Sequence, residues 1–225
     1  MTVVQLAAQT WPDVTGAPVL ALPLGSTEQH GPHLPLGTDT VIAIALAERL
    51  ARARPSVWVA PALPYGASGE HAGFAGTLSI GTDALTRAVV EVGRSADAFG
   101  GVVLVSGHGG NADALAGATA TLTNEGRRVL SWFPRLEGAD AHAGRTETSL
   151  LLALDPGAVR LDRAEAGDAR PLEDLIGELR AGGVAAVSPN GVLGDPAGAS
   201  AGEGHLLLDR LADGLIAAFD AWMAA

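Results

Sequence analysis

The 225-residue chain has no cysteine. That excludes a disulfide framework, a thiol nucleophile and thiolate-held zinc, so any metal ligand has to be histidine, aspartate or glutamate. Lysine is missing too, all 14 basic residues being arginines. Schiff-base catalysis and the lysine of a P-loop are excluded with it. No apolar run reaches the roughly 18 residues that a membrane helix needs, and the opening MTVVQLAAQTWPDV carries no basic n-region, so a cytoplasmic protein with no membrane partner is expected. The 25 acidic residues give a formal net charge of -11. Such a balance argues against nucleic acid as a partner, because phosphate binding depends on basic patches.

What is present is 48% hydrophobic and long enough for one domain over residues 1–225 whose core needs no stapling metal. A bound metal would therefore serve function. Four short apolar runs, Val19 to Leu24, Val57 to Ala60, Val102 to Ser106 and Arg128 to Phe133, show little in/out alternation and read as strands buried on both faces. Helices are expected between and after them at Thr40 to Arg52, Thr82 to Phe99 with a Thr cap, Asn111 to Glu125, Thr146 to Leu154, Pro171 to Arg180 and Glu203 to Met223. The alternation predicts an α/β fold, a three-layer αβα domain around a mainly parallel sheet. Ligands in such folds gather beyond the carboxyl ends of the strands.

The chemistry is concentrated at those ends. LPLGSTEQHGPHLPLGTDT places Glu28, His30, His33 and Asp39 after the first strand, in chain too rich in Gly and Pro to be helix. Glu28 and His30 are two apart, on one side of extended chain. Asp39 taken alone reads as a helix cap and Glu28 as a solvated carboxylate; together with His30 they read as nitrogen and oxygen ligands of a divalent cation. The odd offset of His33 suits a supporting or structural role. SGHGGN after the third strand aims His108 into the same crevice, with Asn111 as a helix cap; the missing lysine argues against a phosphate site there. DAHAGRTETSLLL holds His142 and Glu147, a helix start or a further part of the site. Glu70 and His71 sit in a small-residue loop that is a lid or a surface turn. His205 is an exposed helix residue.

Four of these stretches, GSTEQHGPHLPLGTDT, YGASGEHAGFAGT, GHGGN and HAGRTETS, occur in this order across residues 24–155, and SPNGVLGDPAGAS follows them. Together they resemble the creatininase family of metal-dependent amidohydrolases. The resemblance implies a two-metal site (zinc, iron or manganese) that hydrolyses a C–N amide bond. Glu28 and His30 would hold different ions, Asp39 would bridge them, and His108 would be a later ligand. Creatininase has a metal-binding Glu where this chain has Gly110, and Glu147 is the candidate replacement, counted also among the catalytic groups. His142 would be the general acid, its ordinary pKa near 6.5 allowing transfer in either direction. Asn111 or His33 would orient the ligating rings, and His71 and Asn111 would bind substrate. Within the family the likeness is strongest to members that trim a ribosomally made precursor, which implies a peptide substrate losing a C-terminal Val-Tyr dipeptide. A small cyclic amide or formylated amine is the alternative substrate. A non-catalytic metal-binding oligomer is the alternative from another class. A homo-oligomer is expected on either view.

Overall fold

The computed structural model describes residues 2–225. In chain order the elements are β1 (Val19–Leu24), α1 (Thr38–Ala53), β2 (Val57–Val59), α2 (Gly81–Ser95), β3 (Gly101–Ser106), α3 (Ala112–Asn124), β4 (Val129–Trp132), α4 (Arg145–Leu154), α5 (Leu172–Val187) and α6 (Ala201–Ala224). The four strands form a parallel sheet in the order β2-β1-β3-β4. β1 pairs with β3 along its whole length, from Val19 opposite Gly101 to Leu24 opposite Ser106.

Both faces of this sheet are covered, which explains why its strands read as unbroken apolar runs. Alternate residues Val19, Ala21, Val103 and Val105 pack with Leu46 and Leu50 of α1, Leu150 and Leu151 of α4, and Leu208, Leu215 and Phe219 of α6. The intervening residues Leu20, Leu22, Leu24, Val102 and Leu104 meet Leu85 and Val89 of α2 and Leu115 and Leu122 of α3. The period-two side-chain alternation thus divides one sheet between two cores. The expected three-layer αβα architecture is the observed one.

The boundaries differ from expectation where caps were involved. α1 begins at Thr38 with Gly37 as its cap, so Asp39 lies inside the first turn. α2 is capped by Ile80 and ends at Ser95, leaving Thr82 within the helix. α5 runs past Arg180 to Val187, broken at Gly183 (φ 70°, ψ -177°). α6 starts at Ala201, where the Ser200 hydroxyl accepts a hydrogen bond from the Glu203 amide. Among the described residues no helix is long and apolar enough to cross a membrane.

β1 has β2 on one side and β3 on the other, so successive strands depart in opposite directions from it. The carboxyl ends of β1 and β3 therefore flank a topological switch point, where a crevice opens.

Leu46 is fully buried between sheet and helices. Leu46→Ala should destabilise the fold by about 2–5 kcal/mol, read as a lowered urea midpoint at unchanged m-value.

Candidate metal centre

Five segments converge on this crevice. The turn after β1 carries Glu28, Gln29, His30 and His33. The first turn of α1 brings Asp39, the short turn Gly69–His71 brings Glu70 and His71, the turn after β3 brings His108 and Asn111, and the entry to α4 brings His142 and Glu147. Gly107 permits one of these approaches, since a Cβ there would lie 2.2 Å from the Asp39 carbonyl oxygen. With the end of β3 pressed against it, the amino end of α1 presents Asp39 where the helix dipole favours a negative charge. The entry to α4 is fixed from two sides. The His142 amide donates to the Leu193 carbonyl at 3.1 Å and receives the Leu193 amide on its own carbonyl at 2.8 Å. Ala143 is held at φ 52°, and its amide donates to Glu147 Oε2 at 2.6 Å.

Glu28 Oε1 and Asp39 Oδ2 each lie 3.2 Å from His108 Nδ1. Both oxygens are buried, and neither has a hydrogen-bond partner. Their sister oxygens are occupied: Glu28 Oε2 accepts from the Ser26 hydroxyl at 2.5 Å, and Asp39 Oδ1 is 3.0 Å from His30 Nε2. His30 Nδ1 is 3.1 Å from the Glu28 carbonyl and Nε2 is 3.0 Å from Asp39 Oδ1, both acceptors, so the metal-free ring carries a proton on each nitrogen, and the one on Nε2 is the proton a cation would displace. Glu147 Oε2 stands 3.9 Å from the same Nε2.

Two buried carboxylate oxygens that converge on one imidazole nitrogen without hydrogen-bond partners call for a positive charge. Donor atoms about 3 Å apart are also what ligands around one ion show when each sits at about 2.0–2.2 Å from it. Three overlapping groups, Glu28-Asp39-His108, His30-Asp39-Glu147 and Glu28-His30-His142, bring their donor atoms within 4.8 Å of one another. Glu28, His30 and Asp39 each belong to two of them. The residues present therefore fit cations bound by nitrogen and oxygen.

Protonation follows the same geometry. Burial would raise Glu28, yet the His108 imidazole beside it holds it down to about 2. Burial acts on Asp39 in the same sense, and the positive charge of His30 outweighs it, keeping Asp39 well below the usual carboxylate range. Burial would lower His30, but Asp39 lifts it to about 10. His108 is likewise raised against burial by its contacts with Asp39 and Glu28. Burial dominates elsewhere, lifting Glu147 to about 7 and pushing His71 down to about 4 and His142 well below its ordinary value.

The structure thus brings together Glu28, His30, Asp39, His108, His142 and Glu147, which the sequence had scattered over 120 residues of chain (positions 28 to 147 inclusive). Other expectations need correction. Asn111 is fully buried. Its amide nitrogen donates to the Gly25 carbonyl at 3.1 Å and its oxygen accepts from the Ala67 amide at 2.9 Å, so it ties the loops together and does not cap α3 with its side chain. His71 belongs to no surface turn or open substrate face: its Nε2 lies 3.2 Å from Glu28 Oε1 and its Nδ1 2.9 Å from Gln29 Nε2. His33 orients no ligating ring and instead meets Thr148 Oγ1 at 2.9 Å, bracing α4. His205 is exposed on α6. Sequence reasoning missed Gln29, a neutral side chain between two ionisable ones. The available signal was its polarity in a segment that becomes buried.

A buried set of carboxylates and imidazoles at the switch point of an αβα sheet defines a metal-dependent hydrolase of amide bonds. The chain belongs to the creatininase family, whose model, described as creatinine amidohydrolase, matches residues 7–219. A mycofactocin precursor peptide peptidase of Mycobacterium ulcerans (strain Agy99) is 49% identical over 222 residues, covering 95% of this chain and 86% of that protein. The solved structure "Creatininase Mn" matches with a TM-score of 0.79 at 29% identity, covering 96% of this chain and 97% of that one. A mutant creatininase of the Zn-Zn type matches at 0.78 and 28%, covering 97% of each chain.

Stability should follow the carboxylates in protein stripped of metal. Glu28 and Asp39 are depressed, so their contribution is present in full above their ordinary values of 4.5 and 3.8 and is lost as pH falls toward their folded values. His30 runs the other way, stabilising below 6.5 and losing its contribution as pH rises through about 10. Thermal melts of chelator-treated protein between pH 6 and pH 3 should therefore show a falling Tm. The fall should be shallower in Asp39→Asn, which removes one of the two depressed groups.

Proposed function

We propose that the chain is a two-cation peptidase that acts on the modified precursor peptide in mycofactocin biosynthesis and releases a C-terminal Val-Tyr dipeptide. The 49% identity to a relative of that name, over nearly the whole chain, supports the substrate. The sharing of Asp39 between two donor groups supports the reaction, and it is the observation that carries this reading.

In this reading Glu28, Asp39 and His108 hold one ion, and His30, Asp39 and Glu147 hold the other. When bound, such a pair lowers the pKa of water and polarises a carbonyl, as zinc, manganese or iron with these ligands can. The residues do the rest. Asp39 fixes the spacing of the two donor groups, because one rigid carboxylate in a helical turn serves both. Glu28 has its outer oxygen anchored by Ser26, which leaves Oε1 aimed inward. His142 Nδ1 lies 3.9 Å from Glu28 Oε1 and 4.0 Å from Glu147 Oε2, so it is the atom placed to take up a proton and deliver it to the leaving amine. A cavity of about 550 Å³, bordered by Gln29, Leu36, Phe74, Arg163 and Asn190, adjoins the cluster and has the size of a peptide subsite. A homo-oligomer and a cytoplasmic location complete the reading.

The test is mass spectrometry of the modified peptide incubated with metal-loaded protein, beside creatinine and a formylated amine. Loss of Val-Tyr is expected. An intact peptide with turnover of either small amide would move the assignment to that substrate, and metal uptake with no hydrolysis at all would favour a non-catalytic metal protein. Asp39→Ala should abolish hydrolysis, and elemental analysis should find both ions lost; full activity in that variant would refute the shared-carboxylate centre.

A further inference from the structure

Gln29 lies between Glu28 and His30 in the chain, yet its side chain turns the other way, and every polar atom on it is used. Its Oε1 accepts from the Gly31 amide at 2.8 Å. A backbone amide can only donate, so that contact settles which end of the side chain is oxygen. Its Nε2 then faces three atoms: the Gly191 carbonyl at 2.9 Å, His71 Nδ1 at 2.9 Å and His142 Nε2 at 3.1 Å. An amide nitrogen has two hydrogens for these three neighbours.

The backbone decides the allocation. The Gly191 carbonyl is an acceptor and takes one hydrogen. His142 Nε2 lies 2.9 Å from the Gln29 carbonyl, also a pure acceptor, so His142 carries its proton on Nε2 and cannot accept there. The second hydrogen of Gln29 therefore goes to His71 Nδ1. His71 is left with its own proton on Nε2, the ring nitrogen that lies 3.2 Å from Glu28 Oε1. His142 is left with a bare Nδ1 toward Glu28 and Glu147. A second feature fixes the arrangement: Gly191 is at φ 81°, and a Cβ on it would fall 1.9 Å from Gln29 Oε1, so only glycine lets the loop close over the amide.

We infer that Gln29 is a positioning residue that sets the tautomers of the two central histidines, placing the His71 proton on the nitrogen that faces Glu28 and leaving His142 with a bare Nδ1 toward Glu28 and Glu147. His142 then begins the reaction by taking on Nδ1 a proton from the attacking water, and it gives that proton to the leaving amine as the C–N bond breaks. The His71 proton keeps positive polarity beside the inward oxygen of Glu28.

This inference rests on the reading of the cluster as a hydrolytic centre, but its primary readout does not depend on which amide is cleaved. Long-range proton–nitrogen NMR on the zinc-loaded protein, labelled at histidine, should show His71 and His142 both protonated at Nε2. A proton on Nδ1 of either ring overturns the proposal. Gln29→Glu keeps the acceptor for Gly31 and removes both donors, so the His71 proton should move to Nδ1, facing the introduced carboxylate. On the substrate identified by the assay, kcat should fall roughly 10- to 100-fold, in the range seen for groups that orient ligands, with KM little changed. Gly191→Ala, which displaces the amide from the opposite side, should reproduce the loss. Unchanged tautomers and unchanged kcat in a folded Gln29→Glu protein would overturn the assignment, and the wild-type spectrum decides it even if both variants fail to fold. Wild-type tautomers as described with no hydrolysis of any tested amide would leave this inference standing and remove the proposed function.

Discussion

Glu28 Oε1 and Asp39 Oδ2 point at one imidazole nitrogen from inside the protein, and neither has a hydrogen bond of its own. Buried carboxylates this close repel each other and have lost their water, so they persist only around positive charge. Protons on His30 and His108 can supply it, as the raised pKa values of both rings indicate. Divalent cations supply it better, because they meet several oxygens at once. Much of the site's construction can be traced to keeping these two oxygens aimed at the same place.

The fold performs that task with loops on a rigid frame. Adjacent parallel strands end side by side, so the turns after β1 and β3 start from fixed positions only one strand spacing apart. α1 departs from this edge and fixes Asp39 in its first turn, while α4 approaches from the other side with His142 and Glu147. Around them runs a layer of neutral groups. Ser26 holds Glu28, the Ala67 carbonyl lies 3.3 Å from the outer nitrogen of His108, and Gln29 joins His71 to His142. Such outer contacts fix which face of each ring is turned inward.

The strands were legible because a sheet covered on both faces demands continuous apolar residues, and Val19 to Leu24 and Val102 to Ser106 have them. Helix ends were less legible, because capping preferences are local and packing overrode them at Thr82 and Asp39. In the site, residues whose chemistry is distinctive were found: Glu28, His30, Asp39, His108, His142 and Glu147 all occupy one crevice. Asn111 was harder to read, because its side chain suits a helix cap and a neighbouring loop equally well, and here the neighbouring loops claimed it. The structural role read for His33 is the one observed, against Thr148 of α4.

By itself the sequence determined the layer architecture, the absence of thiol and lysine chemistry, and the set of groups available to a cation, since these follow from residue type and short-range periodicity. Tertiary structure alone decided which ring nitrogens face inward, how closely the candidate ligands approach one another, and that Gln29 lies between two histidines. Those depend on distances between segments far apart in the chain, such as Gln29 and Gly191, and on the count of donors and acceptors that meet there. No local pattern encodes such a count, because it exists only after the loops have closed on one another.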